Sequence, residues 1–156
     1  MTKNIDIRPA RQEDIDILLM LEQEIVTAER PFDATIRKSQ VSYYDLKALL
    51  TNTNAHIIVA CDGDVIVSCG YALEKQARAY LDHETYAYLG FMFTLPEYRG
   101  KGINALIIEA LKEWSLSKGL TEVRLTVYND NEPALRAYEK VGFKRHIIEM
   151  RLRMEE

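Results

Sequence analysis

Four residues in the second half of the chain combine small size with positive charge. Arg99, Gly100, Lys101 and Gly102 directly precede a stretch with helical apolar spacing that begins at Ile103. The first main-chain N–H groups of such a helix lack partners, and glycines let an anion approach them with no Cβ in the way. The helix dipole contributes roughly 0.3 to 1 kcal/mol for each favourable charge. These residues therefore suit the binding of a diphosphate. From these four residues alone, an exposed turn that binds no ligand is an equally good interpretation.

The spacing of this turn weakens the case for two other phosphate motifs. The pattern G-x-x-x-x-G-K-[ST] is absent, and Ile103 follows Gly102 where a hydroxyl residue would be needed. The pattern G-x-G-x-x-G is incomplete, because Ala105 stands where its last glycine would be. Binding of ATP or of a dinucleotide therefore loses most of its support.

The turn and its surroundings resemble the R-x-x-G-x-G/A signature of the GNAT acetyltransferase superfamily. The matching segment reads Pro96-Glu97-Tyr98-Arg99-Gly100-Lys101-Gly102-Ile103-Asn104-Ala105-Leu106. A second segment, downstream of the first, is similar to the N-x-x-A-x-x-x-Y-x-K-x-G-F pattern of the same superfamily. It reads Asn131-Glu132-Pro133-Ala134-Leu135-Arg136-Ala137-Tyr138-Glu139-Lys140-Val141-Gly142-Phe143. Two linked motifs in this order are a strong signal, and the likeness extends in element order over nearly the whole chain.

The resemblance implies an N-acetyltransferase that uses acetyl-CoA as its cosubstrate and needs no metal. Main-chain amides from Arg99 to Ala105 would hold the pyrophosphate of coenzyme A. The pantetheine arm would lie along the strand before them, in a gap between the fourth and fifth strands. A main-chain amide of the fourth strand would face the thioester carbonyl. The implied cosubstrate residues are Met92, Phe93, Thr94, Arg99, Gly100, Lys101, Gly102, Ile103, Asn104, Ala105, Asn131 and Tyr138.

Tyr138 is the residue to which the resemblance assigns chemistry. A phenol, with an ordinary pKa near 10, can protonate or hydrogen-bond a departing thiolate. The alternative is a tyrosine whose ring packs beside Ala134 and Val141. Asn104 departs from the signature, which has Gly or Ala there. Because an Asn amide can donate to phosphate, we expect weaker or rearranged binding and not its absence.

In this superfamily, the acceptor is usually bound by residues in the region of the first two helices. Glu29 and Phe32 place an acid beside an aromatic ring here. A carboxylate and a ring face both attract a cationic amine, and this attraction is worth roughly 0.5 to 2 kcal/mol. Alternatively, such residues cover the edge of a core. The general base is not assigned, since the strand at 86–90 holds no carboxylate. Tyr88, Glu84, Glu29 and a water chain all stay open as bases. Asp33, Tyr43 and Tyr44 belong to the same acceptor region.

Size and composition restrict the class of protein. The chain has 156 residues, 47% of them hydrophobic and 28% charged, which predicts one globular domain over residues 1–156. Its net charge is −4, which disfavours binding of nucleic acid or anionic membranes and suits a cationic small substrate. No apolar run approaches the roughly 18 residues that span a bilayer, and no apolar signal block opens the chain. We therefore expect a cytoplasmic protein, either a monomer or a homodimer.

Periodicity predicts the elements that must position these residues, in the order β-α-α-β-β-β-α-β-α-β. Predicted strands cover 5–8, 55–61, 65–73, 85–94, 121–128 and 143–153. Predicted helices cover 13–26, 42–50, 103–118 and the stretch between Asn131 and Gly142, while 27–40 is a loop or broken helix. A capping box at 42–45 would open the second helix, Gly119 would end the third, and Asn131 would cap the fourth. This order predicts a mixed sheet covered by helices. The resemblance makes it a GNAT-like, mostly antiparallel central sheet with helices on both faces.

The two cysteines, Cys61 and Cys69, flank a predicted hairpin. With its loop at residues 62–63, Cys61 faces Asp64 and Cys69 faces His56, which puts the sulfurs about 16 Å apart. That separation is beyond disulfide reach. We interpret both as small buried apolar residues.

Three functions share these features. Transfer of acetyl from acetyl-CoA to a primary amine of a small molecule, by direct attack, leads because Tyr138 argues for turnover. An acyl-CoA-binding sensor without catalysis would use the same turn, and the missing base mildly favours it. An enzyme that acts on a protein or peptide amine is the remaining alternative.

Overall fold

A computed structural model describes residues 4–155, so residues 1–3 and 156 lie outside the described part. The chain divides into two compact units, of which the first ends at Thr126 and the second begins at Val127. The first unit holds the whole sheet, and the second holds the last helix. A single domain over 1–156 stays a prediction.

Five strands form one sheet in the order β1-β2-β3-β4-β5. Their bounds are Ile5–Pro9, Ala55–Asp62, Val65–Gln76, Thr85–Thr94 and Val123–Arg124. The first four strands pair antiparallel, and β5 pairs parallel to β4. This architecture confirms the predicted mixed, mostly antiparallel sheet. Val, Ile and Tyr are frequent in β2, β3 and β4, and such side chains pack well on a pleated surface.

The described residues 4–155 also form four α-helices: α1 at Ile15–Glu29, α2 at Leu46–Thr51, α3 at Ile103–Ser117 and α4 at Glu132–Lys140. Leu18 and Leu21 of α1 and Leu46 of α2 share one buried cluster with alternate residues of β2, including Ile57 and Val59. The other face of the sheet receives α3, whose Ile107 lies against Gly70 of β3. Helices on both faces of the sheet are therefore confirmed. Within residues 4–155, none of the helices is both long and apolar enough to cross a bilayer.

The predicted last strand at 143–153 is wrong, since these residues form no strand. Their alternating apolar pattern indicates a strand, but a strand forms only when a neighbouring main chain accepts and donates its hydrogen bonds. Among the described residues from Val127 onward there is no such neighbour. Ile147, Met150 and Leu152 are accordingly 80%, 88% and 84% exposed.

The hairpin between β2 and β3 exists as predicted, but its register differs. Asp62 pairs with Val65, so the loop residues are Gly63 and Asp64. This loop position places Cys61 opposite Ile66, and a bulge after Ala60 then places Cys69 opposite Val59. Gly63 has φ +61, a left-handed conformation that a glycine adopts at little cost. Gly63 is the first loop residue, where a type II′ turn takes glycine, whereas a type I′ turn at 62–63 would need a left-handed backbone at both residues.

Both cysteine thiols are free and buried, as the sequence predicted. Burial raises the pKa of the Cys69 thiol, which donates a hydrogen bond to the Phe91 carbonyl at 3.2 Å. Burial likewise raises the pKa of Cys61, although Arg8 opposes this rise. Neither thiol is therefore activated as a nucleophile. Among residues 4–155, no group of His, Cys, Asp and Glu side chains is arranged to hold a metal ion.

Candidate functional site

The turn between β4 and α3 is built from a short 3-10 helix and two left-handed glycines. The 3-10 helix covers Pro96–Tyr98, and α3 begins at Ile103. Gly100 has φ +76 and Gly102 has φ +79, and no heavy atom lies within 4 Å of a Cβ added at either. The two positions are thus open to solvent and reserved for glycine by their backbone conformation. We call residues 99–105 the cradle.

The cradle carries a run of six main-chain amides without partners. Within the described part of the chain, none of the amides of residues 100–105 donates a hydrogen bond. The next amide, that of Leu106, makes the first main-chain hydrogen bond of α3: it donates to the Gly102 carbonyl at 3.4 Å. Unpaired N–H groups at the positive end of a helix dipole bind anions. The cradle therefore fits the pyrophosphate that the sequence suggested.

Two exposed cations flank these amides, and each lies near an aromatic ring. Arg99 donates from Nε to the Thr94 carbonyl at 2.9 Å, and its guanidinium carbon is 5.3 Å from the centre of the Phe93 ring. The Nζ atom of Lys101 is 5.2 Å from the centre of the Tyr98 ring. Each ring restrains the flexible side chain beside it, while the charge of that side chain remains in solvent.

The first residues of α3 divide between the core and solvent. Ile103 is 1% exposed, so its side chain belongs to the core and only its amide can reach a ligand in the cradle. Asn104 is half-buried and Ala105 is exposed. The Asn104 side chain makes no hydrogen bond within residues 4–155, so its amide can donate to a phosphate.

The edge of β4 that faces β5 is open beyond its first residues. Pairing joins Ala87 to Val123 and Tyr88 to Arg124, and no further pair follows in the described residues. The predicted strand at 121–128 is therefore much shorter than expected. Among the described residues, residues 89–94 of β4 therefore have no paired strand on the β5 side. The resemblance places the pantetheine arm along this edge.

Three residues are predicted beside that arm, and their side chains contact other residues of the first unit. The Met92 sulfur lies against Gly70, and Phe93 is 8% exposed. The Thr94 hydroxyl lies 2.8 Å from that of Ser68. Any contact with a ligand in the gap would therefore come mainly from the main chain of β4.

A bulge interrupts β4 at Phe91. Cys69 pairs with Phe93 and Tyr71 pairs with Gly90, so Phe91 and Met92 together face Gly70 of β3. Phe91 has φ +58, which costs a non-glycine residue on the order of 1 to 3 kcal/mol. Its ring is 1% exposed, and this burial offsets the strain. Bulges re-aim the main chain locally and are frequent beside active sites.

Tyr44 and Tyr71 pack beside this bulge, and no motif or spacing in the sequence points to Tyr71. The Tyr44 ring is 5.4 Å from the ring centres of both Tyr71 and Phe91. A Cβ added at Gly90 would lie 2.6 Å from the Tyr71 hydroxyl, so the absence of a side chain at Gly90 makes room for Tyr71. Burial raises the pKa of Tyr71 to about 12 and that of Tyr44 further. Both phenols therefore stay protonated at neutral pH.

The two predicted acceptor residues lie next to each other at the end of α1. Glu29 is its last residue and is half-buried, and Phe32 ends the 3-10 helix Arg30–Phe32 that follows. Burial raises the pKa of Glu29, a hydrogen bond from Tyr43 opposes the rise, and the charge of Asp33 reinforces it. The Arg30 guanidinium donates to main-chain carbonyls farther along this loop.

A buried carboxylate fixes the segment that carries Tyr43 and Tyr44. Glu22 is 1% exposed and accepts from both of their amides at 2.8 Å. Its oxygens also accept from the Ser42 hydroxyl. The predicted capping box at 42–45 is therefore wrong, because Ser42 faces Glu22, and Asp45 caps α2 by accepting from the Ala48 amide at 3.1 Å.

Replacing Glu22 by alanine should lower the free energy of unfolding by about 2 kcal/mol, since two amides would lose their acceptor. The change is measured by urea denaturation of the purified protein. Glu24→Ala is the matched control, because Glu24 is exposed on the same helix. Equal effects of the two substitutions would contradict the role of Glu22.

The remaining base candidates lie on or just before β4. The Tyr88 hydroxyl is 2.8 Å from that of Thr126, and the Nζ atom of Lys75 is 4.1 Å from the Tyr88 ring centre. Glu84 is exposed immediately before β4. Glu29, the other carboxylate among the candidate bases, is half-buried, and burial raises its pKa.

The second unit contains Asn131 and Tyr138. The Asn131 side chain caps α4 by accepting from the Ala134 amide at 3.4 Å, as predicted. Tyr138 is half-buried, and its ring meets the Phe143 ring edge-on at 5.9 Å between centres. The Phe143 amide donates to the Tyr138 carbonyl at 3.0 Å. Leu135 of the same helix is buried, with 7% of its surface exposed.

The sequence has clear relatives among known proteins. The model of the Acetyltransferase (GNAT) family matches residues 21–143. The thialysine N-epsilon-acetyltransferase of Sus scrofa is 30% identical over 148 residues, which cover 87% of this chain and 82% of that protein. An uncharacterized N-acetyltransferase of Archaeoglobus fulgidus is 26% identical over 147 residues, which cover 90% of this chain and 94% of that protein.

Solved structures share the fold of this chain. A tetramutant of a Bacillus halodurans protein has a TM-score of 0.83 at 21% identity, and the match covers 96% of this chain and 99% of that one. A predicted acetyltransferase from Clostridium acetobutylicum, solved with acetyl-CoA, has a TM-score of 0.76 at 17% identity and 97% coverage of both chains. With its sheet, its cradle and a family match that spans most of its length, this chain belongs to the GNAT acetyltransferase family.

Proposed function

We propose that this protein transfers the acetyl group of acetyl-CoA to a primary amine of a small molecule by direct attack. The observation that carries the proposal is the run of unpaired amides at residues 100–105, beside the open edge of β4. A diphosphate in the cradle would anchor the cosubstrate, and a thioester arm along β4 would then reach the bulge at Phe91. The crystal structure of the Clostridium acetobutylicum relative contains acetyl-CoA, which supports this choice of cosubstrate.

Acetyl-CoA supplies an activated acyl group, and the protein's residues would bind it, orient it and move one proton. The amine nitrogen would form a bond to the carbonyl carbon, and the carbon–sulfur bond would break. We assign to Tyr138 the proton that the departing sulfur takes up. The ammonium form of the acceptor must first release one proton to solvent. After attack, the nitrogen loses a second proton, which replaces the one that Tyr138 gives to the sulfur. Glu29 is the carboxylate we favour for holding the ammonium. Met92, Phe93 and Thr94 would contribute main-chain atoms beside the arm.

The names of relatives favour an amine acceptor. The Sus scrofa relative is a thialysine N-epsilon-acetyltransferase, and one structural neighbour is an aminoglycoside N-acetyltransferase in complex with CoA. On this chain, Glu29 would neutralise an ammonium group and Phe32 would offer it a ring face. The net charge of −4 also favours a cationic acceptor over nucleic acid or an anionic membrane. We propose that the reaction takes place in the cytoplasm and that the enzyme is a monomer or a homodimer.

The test is to mix the purified protein with acetyl-CoA and a panel of polyamines, amino acids, aminoglycosides and peptides, and to follow the release of free thiol. Release that depends on a small amine supports the proposal. Release with peptides alone would favour a protein or peptide acceptor. Acetyl-CoA binding without release for any amine would favour a non-catalytic sensor, a function with which the lack of a carboxylate on β4 also agrees.

Replacing Glu29 by glutamine should raise KM for the acceptor amine about tenfold, because one charge-assisted contact to the ammonium group is lost. The KM for acetyl-CoA should stay within about twofold of the wild-type value. Steady-state kinetics with each substrate varied in turn measures both values. Glu24→Gln, an exposed change on the same helix, is the control, and an unchanged amine KM in Glu29→Gln would contradict the assignment.

The raised pKa of Glu29 gives this contact a defined pH dependence. Burial is its main cause, so the folded protein holds the proton of Glu29 more tightly than the unfolded chain does. The stability gained from this proton is present below the unfolded pKa and is lost as pH rises through the folded pKa. The carboxylate that binds ammonium exists only above the folded pKa. Amine KM should therefore rise as pH falls through that value, and Glu29→Gln should abolish this rise.

A further inference from the structure

A short hydrogen bond joins the cradle region to the β2–β3 hairpin. The Tyr98 hydroxyl donates to a carboxylate oxygen of Asp62 at 2.6 Å. Asp62 ends β2, where it pairs with Ile5 on one side and with Val65 on the other. Tyr98 is the last residue of the 3-10 helix, directly before Arg99. The bond therefore ties the start of the cradle to a residue that is itself fixed by two strands.

Tyr98 has a second contact on the cradle side. Its ring centre lies 5.2 Å from the Nζ atom of Lys101. Its amide donates to the Leu95 carbonyl at 2.9 Å, and the Arg99 amide donates to the Pro96 carbonyl at 3.2 Å. Among the described residues, no main-chain donation fixes residues 100–105 themselves. The orientation of that run therefore depends on what holds its two ends, namely Tyr98 and α3.

A carboxylate near an anion site would by itself weaken the binding of a diphosphate. Asp62 is half-buried, and the hydrogen bond raises the pKa of Tyr98, so the phenol stays protonated and keeps donating. A bond of 2.6 Å to a charged acceptor is among the stronger hydrogen bonds of proteins. An arrangement of this kind reduces the ordering that a ligand must otherwise impose on the loop.

We propose that Asp62 is a positioning residue for acetyl-CoA: through Tyr98 it holds the cradle in the conformation that binds the pyrophosphate. The inference rests on the proposed function, because it assumes that acetyl-CoA binds at residues 99–105. Asp62 acts through Tyr98 and needs no contact with the ligand or with the reacting atoms. The hydrogen bond between Tyr98 and Asp62 therefore affects the affinity for acetyl-CoA and leaves the chemical step unchanged.

The hairpin offers a matched control for this test. Asp64 lies two residues from Asp62, is exposed, and makes no hydrogen bond or ion pair within residues 4–155. Asp62→Ala and Asp64→Ala each remove one negative charge from the same turn, but only the first releases Tyr98. Asp62→Asn removes the charge and keeps an oxygen that accepts from Tyr98. The comparison of Asp62→Asn with Asp62→Ala thus isolates the hydrogen bond from the charge.

Calorimetry with acetyl-CoA should give a Kd about five- to tenfold higher for Asp62→Ala and for Tyr98→Phe than for the wild type. Asp64→Ala should bind like the wild type, and Asp62→Asn should recover most of the affinity. The double variant Asp62→Ala/Tyr98→Phe should bind no worse than either single variant, because both remove the same bond. At saturating acetyl-CoA, kcat should stay within about twofold for all of them.

Each alternative outcome overturns a stated claim. A lower melting temperature with an unchanged Kd in Asp62→Ala and Tyr98→Phe would show a bond that supports the fold alone. Equal Kd values for Asp62→Ala and Asp64→Ala would assign any effect to charge. If the wild-type protein does not bind acetyl-CoA, the proposed function fails and the inference fails with it. If it binds and the variants match it, only the inference fails.

Discussion

Replacing Tyr138 by phenylalanine should lower kcat about 100-fold or more while the Kd for acetyl-CoA changes by less than about twofold. The substitution removes one hydroxyl and keeps the ring, so the edge-on contact with Phe143 is preserved. A positioned acid typically accelerates a reaction 10²- to 10⁴-fold, and here it would protonate the sulfur as the carbon–sulfur bond breaks. An interaction used only in the transition state appears in kcat and not in ground-state binding.

The measurement combines steady-state thiol release with calorimetric titration of acetyl-CoA. Tyr80→Phe is a suitable control, since Tyr80 is 77% exposed and its loss removes the same kind of hydroxyl. A wild-type kcat in Tyr138→Phe would remove Tyr138 from the chemistry. A large rise in Kd with an unchanged kcat would make it a binding residue instead.

Replacing Gly102 by valine should raise the Kd for acetyl-CoA about 100-fold or more. Gly102 has φ +79, where a β-branched residue is strained by on the order of 1 to 3 kcal/mol. Relief of that strain would rotate the amides that follow it, and each charge-assisted bond lost to the pyrophosphate adds to the effect. If the strain were tolerated, the valine side chain would still stand where an anion must pass, because that space is now open.

Gly119→Val is the matched control for Gly102→Val. Gly119 has φ +76, has no heavy atom within 4 Å of an added Cβ, and lies at the opposite end of α3. Both substitutions should lower the melting temperature by similar amounts, but only Gly102→Val should impair binding. Comparable Kd values for the two variants in calorimetry would show that the cradle does not hold the cosubstrate.

Local chemistry accounts for the part of the fold that the sequence predicted well. The start of α3 after two glycines, its end before Gly119 and the Asn131 cap of α4 each depend on residues within a few positions. The β2–β3 hairpin belongs to the same class, because β-branched runs around a short turn specify it. The cradle could be predicted for the same reason, since its donors and its glycines are consecutive in the chain.

Features that depend on distant partners were missed or misplaced. The hairpin loop lies one residue later than predicted, and a bulge after Ala60, which no local pattern indicates, shifts the register once more. Glu22 meets Tyr43 and Tyr44 across about twenty positions of sequence, and Gly90 meets Tyr71 across a strand pair. The predicted strand at 143–153 had the right alternation but no described neighbour to pair with. Alternation specifies a face, whereas a strand also needs a partner.

The donors of the cradle are peptide N–H groups and not side chains, which has a consequence for how this protein can change. Ordinary substitutions at residues 103 to 105 leave those donors in place, and only proline deletes one outright. In the proposed function, binding of the amine relies instead on the individual side chains of Glu29 and Phe32, which a single codon change removes. Substitutions can therefore change which amine such a protein accepts while its binding of the acyl donor persists. Preference for the amine should accordingly diverge faster among relatives than preference for acetyl-CoA.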